Sequence, residues 1–217
     1  MKNSSARVVL FVNGHLPAPD QVRAVLTEED VLIAVDGGLR HIETMGLSPN
    51  LIIGDLDSAD PHKIQAYRDQ GVEIRTFPTN KDETDLELAL QTAFTMAPEK
   101  IWVVAALGKR IDQTLANIFL LTDPDLGKFD VRLFDGQTEV FLIRESGVIH
   151  GEIGQRVSLL PINGPAEDIH TEGLAYRLGG ETLYPEKTRG ISNRMIAPTA
   201  TVTLKKGLLL VTRETQY

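Results

Sequence analysis

Cysteine is absent from all 217 positions of the chain. No disulfide, no thiolate metal centre and no thiol nucleophile is therefore available, and the absence fits a reducing compartment. Runs of Lys and Arg are missing too, and the formal net charge is −8. A sequence-independent grip on nucleic acid needs a basic face, so that class of function is argued against. No apolar stretch approaches the roughly 20 residues of a membrane span. The opening MKNSSARVVLFVNGH has too short an apolar run for a secretory signal and no small-residue cleavage pattern after it. These absences predict a cytoplasmic protein. What is present is ordinary for a folded one: 42% hydrophobic and 24% charged residues, enough apolar material for a core in one large domain or two small ones.

The first two thirds of the chain alternate between short apolar runs and helical periodicity. Strands are predicted at Arg7–Val12, Val31–Val35, Leu51–Ile53, Val72–Thr76, Ile101–Ala105 and Val131–Phe134. Between them, Pro19–Leu26, Leu39–Met45 and Pro61–Gln70 read as helices, with Pro61 suited to a first turn and Gly71 to a stop. Leu86, Ala89, Leu90, Ala93, Phe94 and Ala97 recur at three- and four-residue spacing and make one apolar helix face. Leu115, Ile118, Phe119 and Thr122 continue the pattern as another helix. Repeated strand–helix units of this kind predict a parallel sheet covered by helices.

After about residue 135 the character changes. Short strands are predicted at Glu139–Ile143, Arg156–Pro161, Glu167–His170, Ala175–Leu178, Thr201–Leu204 and Leu208–Thr212, with Lys205-Lys206-Gly207 as a hairpin loop between the last two. Such spacing suggests a small antiparallel sandwich or barrel. The expected architecture is an N-terminal parallel-sheet α/β domain over residues 1–138, followed by a small antiparallel β-sandwich domain over 139–217.

In an open parallel sheet, ligands bind beyond the carboxyl ends of the strands. Those ends are acidic and glycine-rich here: Asp36-Gly37-Gly38, then Gly54-Asp55-Leu56-Asp57-Ser58, then Thr79-Asn80-Lys81-Asp82-Glu83-Thr84-Asp85, then Gly108-Lys109-Arg110-Ile111-Asp112. Each alone has a plain reading. Asp-Gly-Gly is an ordinary turn. Asp55 and Asp57 are a turn and a helix cap, or two carboxylates aimed at one hard cation such as Mg²⁺. Thr79 or Asn80 caps a helix, and Asp82 and Glu83 meet its dipole. Lys81 fits that last reading poorly, since a cation beside a positive helix end needs an anion nearby, which a bound phosphate supplies. Asp82 and Asp85, three apart, are expected on one helical face. Four such clusters in order argue for a cation, because crowded carboxylates repel until one neutralises them.

The ordered set Asp36-Gly37-Gly38, Gly54–Ser58, Lys81–Asp85, Gly108–Gln113 and Gly190-Ile191-Ser192-Asn193 resembles the motifs of thiamin pyrophosphokinases, over about residues 8 to 212. The resemblance implies an α/β domain with a C-terminal β-sandwich. It implies transfer of a pyrophosphoryl group from ATP to the hydroxyl of thiamin with Mg²⁺, in a homodimer whose thiamin site lies at the interface. Carried over residue by residue, it implies Mg²⁺ on Asp55, Asp57 and Asp85, and phosphate contacts from Lys81 and Arg110. Asp36, Gly37, Gly38, Thr84 and Gln113 would lie against the nucleotide. Asp82 or Asp112 would orient or deprotonate the alcohol, and Ser192 and Asn193 would hydrogen-bond the thiamin pyrimidine. The fourth motif departs from the usual pattern, with Lys109 where a second Gly is common and Gln113 where His is common. Lys109 puts a side chain where backbone approach to a phosphate is usual, or adds a phosphate contact of its own. The rival readings are a pyrophosphokinase for another alcohol such as a hydroxymethylpterin, an Asp-x-Asp phosphotransferase, and a non-enzymatic nucleotide or thiamin sensor.

Overall fold

The computed structural model describes residues 7–55, 60–77 and 82–215. The chain forms two compact units, one of Met1–Leu120 with Phe129–Gly136, the other of Leu121–Lys128 with Gln137–Tyr217. The fold class read from the sequence is the one the structure has. Leu121–Lys128 packs with the second unit because the Arg144 guanidinium donates to the carbonyls of Leu121 (3.0 Å) and Asp123 (2.9 Å).

In the first unit, β1 (Val8–Phe11), β2 (Val31–Val35), β3 (Leu51–Gly54), β4 (Glu73–Thr76), β5 (Lys100–Val104) and β6 (Asp130–Phe134) form a parallel sheet in the order β4-β3-β2-β1-β5-β6. β1 and β3 are buried along their whole length, as continuous apolar runs inside a covered parallel sheet should be. The helices between them are α1 (Pro19–Val25), α2 (Leu39–Thr44), α3 (Pro61–Asp69), α4 (Asp85–Thr95) and α5 (Ile111–Leu120). α4 buries Leu86, Ala89, Leu90 and Ala93 and packs on β1, β2 and β3, so its predicted apolar face is the one that meets the sheet. Its cap is Thr84, whose Oγ1 accepts from the Glu87 N–H at 3.2 Å. Thr79 and Asn80, the caps expected from sequence, lie outside the described residues. Asp82 precedes the helix, so it does not share a helical face with Asp85 as expected.

The second unit is antiparallel: β7 (Thr138–Ile143), β8 (Ser146–His150), β9 (Arg156–Glu172), β10 (Gly179–Leu183), β11 (Asn193–Arg194), β12 (Thr199–Thr203) and β13 (Lys206–Glu214). One strand organises it. The first half of β9 pairs with β13 and β11, and the second half with β12 and β10. β9 runs through both strands predicted at Arg156–Pro161 and Glu167–His170, with Asn163-Gly164 between them. In the structure both residues take positive φ (62° and 131°) without reversing the chain, so β9 bends and passes from one sheet to the other. For the same reason Lys205–Gly207 does not close a hairpin. β12 pairs with β8 and β9, and β13 with β7 and β9, so that loop joins two sheets. Ala175–Leu178 is not a strand, and β8 and β10 were not anticipated, because their short mixed runs carry no clear alternation. The core between the sheets includes Phe141, Ile149, Leu159, Ile169, Val202 and Val211.

Candidate active site

The strand order places the site. From β1 the chain builds outward through β2, β3 and β4, then returns to the other side of β1 with β5 and β6. The loops after β1 and β5 leave their strands in opposite directions and open a crevice between them, the usual binding position in such sheets. A cavity of ≈ 260 Å³ lies there. Its wall is made by Asn13, Gly14 and His15 after β1, Asp36 after β2, Thr84 and Asp85 at the start of α4, Ala105 to Arg110 after β5, and Gln113, Thr114 and Asn117 of α5.

Each loop is fixed by identifiable contacts. Asp36 takes a positive φ of 50° and opens a single 3₁₀ turn through Gly38. Gly38 is required by close approach, since a Cβ there would lie 1.8 Å from the Phe11 carbonyl oxygen, whereas a Cβ on Gly37 would only displace the Asn13 side chain. Asn13 Nδ2 donates to Asp36 Oδ2 at 3.3 Å. Gly54 packs on the Asp36 backbone, where a Cβ would sit 3.1 Å from its Cα. The loop after β5 is held by α5. Asn117 Nδ2 donates to the Ala106 carbonyl at 2.8 Å, the Gly108 N–H donates to Thr114 Oγ1 at 3.2 Å, and Thr114 Oγ1 in turn donates to the Arg110 carbonyl at 3.0 Å.

Arg110 and Asp112 form a two-point ion pair, Nη2 to Oδ2 at 2.5 Å and Nε to Oδ1 at 3.2 Å, with both side chains about two-thirds exposed. The guanidinium, and after it the Gln113 amide, hold the Asp112 carboxyl below its ordinary range, while the hydrogen bond to Asp112 raises Arg110. Exposed pairs exchange partners at little cost, so a phosphate oxygen can replace the Asp112 carboxylate on Arg110. Asp36, Asp55 and Asp85 supply oxygen ligands only, the donor type that a hard cation takes together with water and phosphate. Among the described residues no three His, Cys, Asp or Glu side chains are grouped closely enough to hold a metal. Asp57, expected to pair with Asp55, and Lys81 lie outside the described residues.

The turn Gly190–Asn193 is built on β9. Ser192 has φ 57°, and its N–H donates to Ser158 Oγ at 3.0 Å. Asn193 is 3% exposed. Its Oδ1 accepts from the N–H groups of Tyr176 and Arg194 (both 2.9 Å) and its Nδ2 donates to the Tyr176 carbonyl at 2.8 Å. The amide thus mimics a strand partner for Tyr176. Around this turn Tyr176, Ile191 and Ile196 are all exposed.

Comparison with known proteins follows this division. The thiamin pyrophosphokinase catalytic domain matches residues 22–133, and the thiamin pyrophosphokinase vitamin B1 binding domain matches residues 146–209. The chain belongs to the thiamin pyrophosphokinase family. Thiamine pyrophosphokinase of Bacillus subtilis (strain 168) is 29% identical over 192 residues, covering 87% of this chain and 90% of that protein. Thiamine pyrophosphokinase 2 of Oryza sativa subsp. japonica is 26% identical over 235 residues, covering 95% of this chain and 86% of that protein. The crystal structure of the Bacillus subtilis enzyme superposes with a TM-score of 0.86 at 24% identity, covering 98% of this chain and all of that one. Thiamin pyrophosphokinase from Candida albicans superposes with a TM-score of 0.82 at 17% identity, covering 98% and 90%.

Of the residues singled out by the family's motifs, Asp36, Thr84, Asp85, Arg110 and Gln113 share one cavity wall, and so does the unusual Lys109. Gly37 and Gly38 shape the turn behind it, and Gly54, the residue before Asp55, packs on the Asp36 backbone. Asp82 and Asp112 are exposed and are not part of that wall. The structure adds Asn13, His15, Thr114 and Asn117. Neither the polar contact of Asn13 with Asp36 nor the cavity-lining face of α5 has a signal in the order of residues.

Proposed function

We propose that the chain transfers a pyrophosphoryl group from ATP to the hydroxyl of thiamin, giving thiamin diphosphate and AMP, as a cytoplasmic Mg²⁺-dependent homodimer. The observation that carries this reading is one cavity at the β1/β5 switch point, in which motif residues from three separate chain segments meet in a member of this family. The thiamin hydroxyl oxygen attacks the β-phosphorus, the bond from that phosphorus to the α,β-bridging oxygen breaks, and AMP departs with the electron pair. Such a reaction needs positioning and charge neutralisation more than covalent help.

The residues divide that work. Asp36 with Gly37 and Gly38, Thr84 and Gln113 border the nucleotide. Lys81 and Arg110 neutralise phosphate oxygens, with Arg110 released from Asp112 as it does so. Asp55, Asp57 and Asp85 would hold Mg²⁺, which supplies charge neutralisation at the phosphates. Asp112, whose carboxyl Arg110 holds below its ordinary range before the nucleotide binds, is freed as a hydrogen-bond acceptor when Arg110 turns to phosphate, which suits orienting the alcohol. Asp82 is then the alternative for proton removal. In the sandwich, Ser192 contacts the thiamin pyrimidine, and Asn193 shapes the turn that carries it. The homodimer is supported by α5, which exposes Ile111, Leu115 and Phe119 (71%, 46% and 51%) at four-residue spacing immediately after Arg110. A second copy laid on that stripe would border the nucleotide cavity.

Incubation with ATP, thiamin and Mg²⁺, followed by anion-exchange chromatography, tests the reaction. AMP and thiamin diphosphate in equal amounts are expected. ADP with thiamin monophosphate would assign a phosphotransferase instead. AMP released only when a hydroxymethylpterin replaces thiamin would reassign the acceptor.

A further inference from the structure

The loop after β1 lies in no motif used so far, yet it is held more firmly than its exposure requires. Arg40 Nη2 donates to two successive carbonyls, Asn13 and Gly14, both at 2.9 Å. His41 Nε2 lies 3.0 Å from the same Gly14 carbonyl. Burial lowers the His41 pKa, which favours the neutral imidazole, and the carbonyl contact makes Nε2 the protonated nitrogen. Gly14 is pressed so closely on β5's exit that a Cβ there would lie 1.9 Å from the Ala105 carbonyl oxygen. Three hydrogen bonds from α2 and one tight backbone contact therefore pin Asn13 and Gly14.

Peptide planarity turns that restraint into a donor arrangement. No peptide bond in the described chain is cis. In a trans peptide the N–H points opposite to the carbonyl of the preceding residue. The Asn13 and Gly14 carbonyls point at α2, so the N–H groups of Gly14 and His15 point away from it. Gly14 and His15 line the cavity. No hydrogen bond among the described residues uses either N–H. Adjacent backbone N–H groups on one side of a loop form a concavity for an anion.

We propose that Arg40 and His41 are positioning residues for the nucleotide: they aim the N–H groups of Gly14 and His15 into the cavity, where both donate to one phosphate oxygen of ATP. The inference rests on the pyrophosphokinase reading of this cavity. It adds a phosphate cradle made of main chain on the β1 side, opposite the Lys109–Arg110 side chains on the β5 side. Neither Arg40 nor His41 touches the nucleotide; each acts through the loop.

The test uses the full-length protein, Mg²⁺ and α,β-methylene ATP, an analogue with no cleavable α,β bridge, in calorimetric titrations without thiamin. Arg40→Met keeps the length of an exposed side chain and removes both carbonyl contacts. His41→Leu removes the third contact, and His41→Gln keeps a donor. Arg40→Met and His41→Leu are each expected to weaken the analogue about tenfold and to raise the KM for ATP in parallel, the scale of a lost charged or buried hydrogen bond. The KM for thiamin and kcat should stay within about twofold, since a contact serving one substrate is lost. His41→Gln should restore most of the affinity. Arg40→Met that melts within about 2 °C of the parent and binds the analogue equally well overturns the proposal, whatever His41→Leu does to folding. A parent protein that does not bind the analogue overturns the nucleotide reading itself, a separate result.

Discussion

Asn193 commits its side-chain amide to the main chain of Tyr176 and Arg194, and this changes what its loss should do. A residue that only contacts a ligand can be truncated without harm to the fold. A buried amide with three backbone partners cannot, because removing it strands the Tyr176 N–H and carbonyl. Asn193→Ala is expected to cost about 1–3 kcal/mol, seen as a lower urea midpoint at unchanged slope. Ser192 has an exposed side chain, so Ser192→Ala should keep the midpoint and raise the KM for thiamin. A full urea midpoint for Asn193→Ala would show that the amide is free to face a ligand. An unchanged thiamin KM for Ser192→Ala would remove Ser192 from the acceptor site. Motif matching names both residues equally and cannot tell ligand from splint, because the difference lies in which neighbours the fold brings to the amide.

Helices show the same boundary between pattern and context. α4 and α5 both read as amphipathic, and both are helices. α4 buries its apolar face on three strands, whereas no residue of α5 is buried within the chain. Periodicity reports that a helix has an apolar stripe, not what covers it. If a second copy covers α5, Leu115→Lys should halve the mass measured by sedimentation at micromolar concentration and leave the helix content by circular dichroism unchanged, since Leu115 supports no core. Unchanged dimer mass in Leu115→Lys would move the interface elsewhere. β9 is the opposite case: Asn163-Gly164 has the composition of a turn, and only the pairing of its two halves with different partners keeps the 17-residue strand continuous.

Across the chain, stability and chemistry rest on different residues. The core of each unit is apolar, built on residues such as Phe11, Ile33 and Ile53 in the first and Leu159, Ile169 and Val211 in the second. The acidic side chains of the site stand at loop ends and helix starts, outside those cores. A divalent cation would therefore serve turnover and not folding. Excess chelator should abolish AMP formation while the melting temperature moves by only about 2 °C, unlike small metallo-domains that unfold without metal. Turnover that persists in chelator would end the assignment of Asp55, Asp57 and Asp85 to Mg²⁺. A collapse of the melting temperature would make the cation structural.

Local patterns were enough for the alternation of strands and helices in the first unit, the switch to β-structure near residue 135, and the order of the acidic motifs. Each depends on neighbours within a few residues: side-chain period, turn chemistry, capping. The strand order, the bend of β9, the exposure of the α5 stripe and the loop after β1 depend on contacts between residues far apart in the chain. Asn13 meets Asp36 across 23 positions, and Arg40 reaches back 27 to the carbonyl of Asn13. Such contacts form only once the sheet has brought the strand ends together, so no reading of local spacing contains them.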